Sequence, residues 1–424
     1  MRLVCRQSRL KGEVRIPGSK SHTIRAVAIA SLAEGESMIR RPLVSNDTRA
    51  AVDAYRALGA QIEVGPEVWA VWGTGGEVRV PENVIDVHNS GVTLNTALGT
   101  CALLREGAAV LTGDEQIRRR PAGPLARALN DLGASVRSTR GTGTPPFVVE
   151  GRLRGGETTV EGTSSQYVTG VLINAPLGDG GSLVRVVKLN EAPYVEMTLD
   201  WLRRQGVNVQ QEELREFRIP GGQMYRPVDR GIPADFSSAT FFLGAGALGE
   251  NDVLLRGLDM SDTQGDKAAV EYVREMGAEV AVSEEGIRVR ARELEGQEFD
   301  LNATPDALPM LAVLGCFAKG TTRLVNAPQA RIKETDRIAV MAGELRKLGG
   351  RVEELEVGLV VHGSELRAAD VDGHGDHRVV MALAVAGCAL PGKTVVHGAE
   401  AAAVTFPEFT DCMVGLGAEL AIEE

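Results

Sequence analysis

The sequence is poor in several features that would point to particular classes of protein. Aromatic residues make up only 4% of its 424 residues, and its five cysteines are scattered without a CxxC pair. This cysteine pattern predicts reduced thiols in a cytoplasmic protein, not a disulfide framework or a zinc site. No apolar run reaches the roughly 20 residues that span a bilayer, and the first residues lack the apolar core of a secretion signal.

The sequence also lacks the signatures of nucleotide, metal and nucleic-acid binding. The net charge of -11 argues against a nucleic-acid or anionic-membrane partner, although a local basic pocket remains compatible with it. No GxxxxGK[ST] motif and no GxGxxG motif after a strand are present. The histidines have no metal-ligand spacing, so we expect neither a metal nor a cofactor.

The chain does contain a repeat. Six times, a helical pattern ends in glycine and is followed at once by a short strand pattern, as in "YRALGAQIEV" and "VREMGAEVAV". Glycine at such a junction predicts the left-handed conformation that ends a helix. The glycines, 68 to 74 residues apart, are Gly59, Gly133, Gly206, Gly277, Gly349 and Gly417.

A second helix, apolar on almost every side, precedes each of these junctions, as in "TALGTCALL" and "VMALAVAGCAL". Helices of this kind must be buried, so the units cannot stand alone and must pack together. Six units predict an α/β protein of two similar domains with three units each and a cleft between them. We place the domains at residues 16–229 and at residues 1–15 plus 230–424, with the first strand pairing in the second domain.

Polar clusters open several of the buried helices. In "PGSKSHTIRA", the side chains of Lys20, Ser21 and Arg25 suit a carboxylate or a phosphate, because helix N-termini favour anions. A solvated helix start with a serine cap would explain the same stretch. "GTSSQYVTG" offers the donors Ser164 and Ser165, although serine caps are also common.

Charged residues recur at equivalent positions of the other units. Asp306 in "ATPDALPML" is either a helix cap or a general base near bound hydroxyls. "ARIKETDRI" is a charge run, and most such runs are solvated surface. Together these positions predict a site for a multiply anionic small molecule. Its cations would be Lys20, Arg25, Arg120, Lys333, Arg337 and Arg378, and its acids Asp306 and Glu334.

Over its whole length the sequence resembles the enolpyruvyltransferase family. The family's motifs appear in the family's order: "PGSKSHTIRA", "SNDT", "HNSGVT", "RRRPAGPL", "GTSSQYVTG", "PYVEMTL", "PDALPMLAV", "RIKETDRI", "GDHRVVMALAV" and "TFPEF". The resemblance implies a monomer whose two domains are each built from three βαβαββ units. It also implies transfer of the enolpyruvyl group of phosphoenolpyruvate to the 5-hydroxyl of shikimate-3-phosphate, with release of phosphate. A sibling enzyme that acts on UDP-N-acetylglucosamine is less similar, since it has Lys-Asn where this chain has Lys20-Ser21.

The resemblance further implies a role for each matching residue. Asp306 would take the hydroxyl proton, while Glu334 and Lys20 would handle the proton at the methylene carbon, and Arg25 would hold the shikimate carboxylate. The other implied ligands of shikimate-3-phosphate are Ser21, Ser164, Ser165, Gln166, Tyr194, Gln329 and Lys333. The implied ligands of phosphoenolpyruvate are Lys20, Asn89, Gly91, Arg120, Gln166, Arg337 and Arg378.

Several positions depart from the family pattern. Val92 and Asn95 replace a threonine and an arginine, Val404 replaces a lysine, and Gln329 replaces an asparagine. Glu191 aligns with a serine that contacts the substrate phosphate. These changes leave two readings open. The first is a synthase with altered affinity for phosphoenolpyruvate and its mimic glyphosate. The second is different chemistry on a shikimate-like ring, either an elimination or a transfer to another alcohol.

Overall fold

The computed structural model describes all 424 residues of the chain. The helices are α1 (Lys20–Leu32), α2 (Asn46–Ala57), α3 (Gly91–Cys101), α4 (Gly123–Asp131), α5 (Ser165–Asn174), α6 (Ala192–Arg204), α7 (Phe236–Ala247), α8 (Ala269–Glu275), α9 (Leu308–Phe317), α10 (Arg337–Lys347), α11 (His377–Ala389) and α12 (Phe409–Gly415). The strands are β1 (Arg2–Arg6), β2 (Lys11–Arg15), β3 (Glu34–Arg40), β4 (Gln61–Val64), β5 (Val68–Thr74), β6 (Ile85–Asp86), β7 (Leu103–Thr112), β8 (Ser135–Ser138), β9 (Phe147–Arg152), β10 (Gly156–Glu161), β11 (Ser182–Val187), β12 (Gln210–Glu212), β13 (Glu216–Ile219), β14 (Asp229–Gly231), β15 (Asp252–Arg256), β16 (Glu279–Ser283), β17 (Gly286–Arg290), β18 (Glu298–Asp300), β19 (Thr321–Val325), β20 (Arg351–Leu355), β21 (Gly358–His362), β22 (Asp370–Asp372), β23 (Lys393–His397) and β24 (Leu420–Glu423).

The chain divides into two compact units. The N-terminal unit is Gly18–Ile232, and the C-terminal unit joins Met1–Pro17 to Pro233–Glu424. The first two strands belong to the C-terminal unit, because β1 pairs with β23 and β24, and β2 pairs with β15. Each unit has its own hydrophobic core.

Each unit contains three four-stranded sheets with one shared topology. In the sheet β10-β11-β13-β12, the first pair is parallel and the other two pairs are antiparallel. The same pattern holds in the other five sheets, which are β14-β3-β5-β4, β6-β7-β9-β8, β2-β15-β17-β16, β18-β19-β21-β20 and β22-β23-β1-β24. One antiparallel pair joins strands that follow each other in the chain in five of the six sheets, as β12 and β13 do, whereas the central antiparallel pair joins strands that lie further apart in the sequence. The predicted α/β fold built from six similar repeats is confirmed, with one four-stranded sheet in each repeat.

The helices α1, α3, α5, α7, α9 and α11 are buried along almost their whole length, as their apolar sequences predict. They pack against one another inside each unit, with α3 between α1 and α5, and with α7, α9 and α11 in mutual contact. Five of the six, all except α9, begin at a polar residue whose side chain caps the helix. None of the helices combines the length and the apolar character needed to cross a lipid bilayer.

The six repeat glycines all adopt the left-handed conformation predicted for them. Their φ angles lie between 73° and 111°. Each follows the end of a helix and precedes the next strand within a few residues, as Gly277 does between α8 and β16. A side chain is strained at such angles, so the spacing of these glycines marks the repeat.

All five cysteines are free thiols, and Cys412 alone is not fully buried. Burial raises the pKa of Cys412 from 9.0 to about 11, which lowers its thiolate fraction at neutral pH about a hundred-fold. We therefore expect no cysteine of the native protein to react rapidly with Ellman's reagent at pH 8. After unfolding, five cysteines should react. Cys412→Ser should leave four thiols after unfolding. One fast native thiol, or fewer than five in the unfolded wild type, would contradict this assignment.

Candidate functional site

The buried helices of the N-terminal unit begin with neutral caps. Ser19, Ser90 and Ser164 precede α1, α3 and α5, and each hydroxyl accepts a backbone N–H of the first turn. Neutral caps do not offset the positive ends of the helix dipoles, so these ends suit an anion. In the C-terminal unit, by contrast, Asp235 and Asp376 cap α7 and α11 with carboxylates.

Lys20 is the first residue of α1 and is held by an acid of the same unit. Its Nζ lies 3.0 Å from Oδ2 of Asp47, and the two side chains are 14% and 4% exposed. Asp47 belongs to the first turn of α2, so the packing of α2 against α1 positions this pair. The pair places an amine at the Ser-capped start of α1, where a proton donor is predicted.

Arg25 is buried one turn further along α1. Its guanidinium donates to the hydroxyls of Thr198 (2.9 Å) and Thr169 (3.3 Å) and to the carbonyls of Ser21 (3.0 Å) and Tyr194 (3.0 Å). All of these acceptors are neutral. Burial therefore lowers the pKa of Arg25 from 12.5 to about 10. A bound anion would stabilise the charged form of this group.

Gly91, Arg120 and Gln166 come together at the start of α3. A Cβ at Gly91 would lie 2.8 Å from an Nη of Arg120 and 3.2 Å from Oε1 of Gln166, so a side chain there would displace the Arg120 guanidinium. Asn95 donates to the same Gln166 oxygen at 3.1 Å and to the Gly91 carbonyl at 2.8 Å. Asn95 thereby directs the amide oxygen of Gln166 towards itself, which leaves the Gln166 NH2 group as a donor for other partners.

Asn89 connects this helix start to the loop that carries Arg120. Its Nδ2 donates to Oδ2 of Asp114 (2.7 Å) and to Oε1 of Gln116 (2.9 Å). The three consecutive arginines of this loop diverge, because Arg119 pairs with Glu115 at the surface whereas Arg120 lies beside Gly91.

The side chain of Glu191 faces the interior of the N-terminal unit and not solvent. This residue immediately precedes α6, is 1% exposed, and accepts hydrogen bonds from the N–H (3.2 Å) and the hydroxyl (2.8 Å) of Ser165. A carboxylate of the chain itself therefore occupies the start of α5. Tyr194, in the first turn of α6, contacts Arg25 through its carbonyl.

In the C-terminal unit, Arg337 is the centre of a cluster of acids. Its Nε donates to Asp376 (2.7 Å), one Nη to Asp306 (2.7 Å) and the other to Glu334 (2.6 Å). Arg337 is 1% exposed. Burial disfavours its charge, but Asp376, Glu334 and Asp306 together hold the pKa of Arg337 above its ordinary value. This arginine fixes the orientation of both predicted acid–base carboxylates.

Arg378 shares Asp306 with Arg337. Its guanidinium lies 2.8 Å from the second oxygen of Asp306, and its side chain is 5% exposed. The acid at the start of α9 thus bridges two arginines, from α10 and α11. Opposite charges this close favour the ionised carboxylate.

The segment before α10 supplies the remaining predicted residues. Gln329 is buried and donates to the carbonyl of Asn302 at 2.8 Å, while its Oε1 has no hydrogen-bond partner. Lys333 follows a short 3-10 helix, Pro328–Ile332, and is half-buried. Arg331, in the same charge run, instead pairs with Asp336 and Glu354 and has a structural role.

Glu334, Asp376 and His377 offer ligand atoms within 4.8 Å of one another, which is close enough to hold a metal ion. Arg337 already binds both carboxylates of this group. Its charge occupies the position that a cation would take, so the donor set does not favour a metal.

The predicted site residues divide between the two units. The N-terminal unit carries Lys20, Ser21, Arg25, Asn89, Gly91, Arg120, Ser164, Ser165, Gln166 and Tyr194, and the C-terminal unit carries Asp306, Gln329, Lys333, Glu334, Arg337 and Arg378. The motif reading missed Asp47 and the role of Asp376 as a partner of Arg337. Asp47 lies in the quoted "SNDT" and Asp376 in "GDHR", so both motifs already contained the signal.

The positions that depart from the family pattern have different surroundings. Val92 packs against the core of the N-terminal unit. Val404 ends a short 3-10 helix, Ala399–Val404, and is half-buried. Asn95 and Glu191 instead contact the predicted ligand-binding residues Gln166 and Ser165.

Comparison with known proteins identifies the family. The model of the EPSP synthase (3-phosphoshikimate 1-carboxyvinyltransferase) family matches residues 4–413. The chain is 51% identical over 420 residues to a 3-phosphoshikimate 1-carboxyvinyltransferase from Acetivibrio thermocellus, with 99% of each chain covered. A protein of the same name from Ruminiclostridium cellulolyticum is 48% identical, again with 99% of each chain covered.

Solved structures show the same fold. EPSP synthase from Acinetobacter baumannii superposes with a TM-score of 0.83 at 26% identity, covering 99% of this chain and 100% of that one. The enolpyruvyl transferase NikO from Streptomyces tendae shares the fold with a TM-score of 0.77 at 21% identity, covering 99% and 98% of the two chains. The chain belongs to the EPSP synthase (3-phosphoshikimate 1-carboxyvinyltransferase) family.

Proposed function

We propose that this protein is a 3-phosphoshikimate 1-carboxyvinyltransferase. It transfers the enolpyruvyl group of phosphoenolpyruvate to the 5-hydroxyl of shikimate-3-phosphate and releases phosphate, a step of aromatic amino-acid biosynthesis. The observation that carries the proposal is the 51% identity to a protein of that name over 99% of both chains. The clustered cations of both units support it, because each substrate carries a carboxylate and a phosphate.

The proposed reaction begins with proton transfer from the acceptor. Asp306 takes the proton of the 5-hydroxyl while the hydroxyl oxygen attacks C2 of phosphoenolpyruvate. In the same step, Lys20 or Glu334 delivers a proton to the methylene carbon. The tetrahedral intermediate then loses a proton from that carbon and expels phosphate, which restores the double bond. Ser164 and Ser165 are proposed ligands of the ring phosphate, and Arg25 supplies a buried charge for the ring carboxylate.

Arg337 and Arg378 are the proposed ligands of the phosphoenolpyruvate carboxylate. Both also bind Asp306, with distances of 2.7 and 2.8 Å. A carboxylate held by two arginines is a poor proton acceptor. We propose that the arriving carboxylate of phosphoenolpyruvate draws charge from both arginines, so that Asp306 becomes an effective base only when the second substrate is bound.

The proposal is tested by a steady-state assay of phosphate release from the purified protein. We expect release only when both shikimate-3-phosphate and phosphoenolpyruvate are present, at the 1–1,000 turnovers per second common among enzymes. No release with both substrates present would contradict the proposal. Release from shikimate-3-phosphate alone would instead favour an elimination on the ring.

Gly91→Ala is expected to weaken the use of phosphoenolpyruvate. The added methyl would lie 2.8 Å from the Arg120 guanidinium and push it aside. Because a misplaced charge-assisted hydrogen bond costs about 1.5 kcal/mol, the KM for phosphoenolpyruvate should rise about ten-fold at similar stability. Gly415→Ala is the matched control, since nothing lies within 4 Å of a Cβ added there. An unchanged KM would remove Arg120 from the proposed ligands.

We also propose that the protein acts in the cytoplasm as a monomer and without a cofactor. The free cysteines fit a reducing compartment. Size-exclusion chromatography with light scattering should give the mass of one 45.0 kDa chain.

A further inference from the structure

The start of α5 is a donor site that the chain fills with one of its own acids. Oε2 of Glu191 accepts the backbone N–H of Ser165 at 3.2 Å and its hydroxyl at 2.8 Å. Both residues are buried, at 1% and 2% exposure. The contact therefore belongs to the interior of the N-terminal unit and is not a passing surface hydrogen bond.

The backbone of Glu191 is shaped for this contact. Its φ and ψ angles are 55° and 41°, a left-handed conformation that is uncommon for a residue with a side chain. Although Glu191 stands at the cap position of α6, its side chain makes no capping hydrogen bond to that helix. The carboxylate reaches instead to the neighbouring helix α5, against which α6 packs.

Ser165, which donates to Glu191, is one of the two serines that the proposed function assigns to the ring phosphate. Ser164 caps α5 and Ser165 is its first residue. Two anions cannot share one helix N-terminus without strong repulsion, because the dipole and the two hydroxyls offset only part of their combined charge. A phosphate therefore gains these donors only when the carboxylate leaves them.

We propose that Glu191 is a specificity-determining residue that competes with the acceptor's ring phosphate for the start of α5. The inference rests on the proposed function for the identity of that phosphate. With this carboxylate in place, the protein's binding preference for the phosphorylated ring over the unphosphorylated ring is weakened. Removing the carboxylate should strengthen that preference. The unphosphorylated ring places no second anion at α5, so Glu191 leaves its binding almost unaffected.

The test is calorimetric titration of shikimate-3-phosphate and of shikimate into four proteins. These are the wild type, Glu191→Ser, Glu191→Gln and the control Glu196→Ser, which removes an exposed carboxylate from α6. The quantity compared is the ratio of the two dissociation constants, shikimate over shikimate-3-phosphate. We expect this ratio to rise at least ten-fold in Glu191→Ser, to rise less in Glu191→Gln, and to stay unchanged in Glu196→Ser.

An equal ratio in all four proteins, or a lower ratio in Glu191→Ser, would overturn the inference. Should Glu191→Ser fail to fold, the nearly isosteric Glu191→Gln decides by the same comparison. Phosphate release, measured in parallel, separates this inference from the proposed function. Turnover with an unchanged ratio would leave the function standing and the inference rejected, whereas a shifted ratio without turnover would do the reverse.

Discussion

Asp306→Asn is expected to lower kcat by two to four orders of magnitude, the usual contribution of a general base. The amide has nearly the shape of the carboxylate, but it keeps an acceptor oxygen for only one of Arg337 and Arg378, which contact different oxygens of Asp306 at 2.7 and 2.8 Å. It cannot take the hydroxyl proton. Binding of shikimate-3-phosphate, measured by calorimetry, should therefore change only a few-fold while turnover collapses.

The control for this change is Asp370→Asn, which removes an exposed carboxylate from β22 of the same unit. We expect wild-type kcat and KM from it. Near-wild-type turnover by Asp306→Asn would show that another group takes the proton. Loss of both turnover and binding would show that Asp306 acts mainly through its arginines.

Arg337→Met is expected to be the most destabilising single change in the C-terminal unit. Removing one partner of a buried ion pair leaves an uncompensated charge and costs about 3–5 kcal/mol. Here one guanidinium serves three carboxylates, which are 0%, 8% and 13% exposed. Denaturant unfolding should therefore show that the free energy of unfolding falls by at least this amount. Activity should be lost as well.

The matched control is Arg323→Met, which breaks an exposed pair with Glu298 in the same unit. Exposed pairs contribute at most about 1 kcal/mol, so its stability should hardly change. Adding Asp376→Asn to Arg337→Met should recover part of the loss, because one of the unpaired charges is then removed. Equal stability of Arg337→Met and the wild type would mean that the acids do not depend on this arginine.

The repeat is the part of the fold that the sequence predicts best. A helix that ends in glycine is a local event, and a helix that is apolar on all sides can only be buried. Both signals depend on residues only a few positions apart. The predictions of six left-handed glycines and six buried helices therefore agree with the structure. The serine caps at Ser19 and Ser164 follow from equally local chemistry.

The partners of the charged residues could not be predicted in the same way. Lys20 meets Asp47 from the next helix, Arg25 meets Thr169 of α5 and Thr198 of α6, and Ser165 meets Glu191. These contacts depend on how buried helices pack side by side. Nothing in "LNEAPY" signals that Glu191 adopts a left-handed backbone and turns its carboxylate inward.

Mass spectrometry of the product determines which reaction the protein catalyses. We expect one new species, with the mass of shikimate-3-phosphate plus an enolpyruvyl group, formed with one phosphate and only when both substrates are present. A dehydrated or dephosphorylated ring formed from shikimate-3-phosphate alone would contradict it. So would the absence of any product from a protein that still binds both substrates.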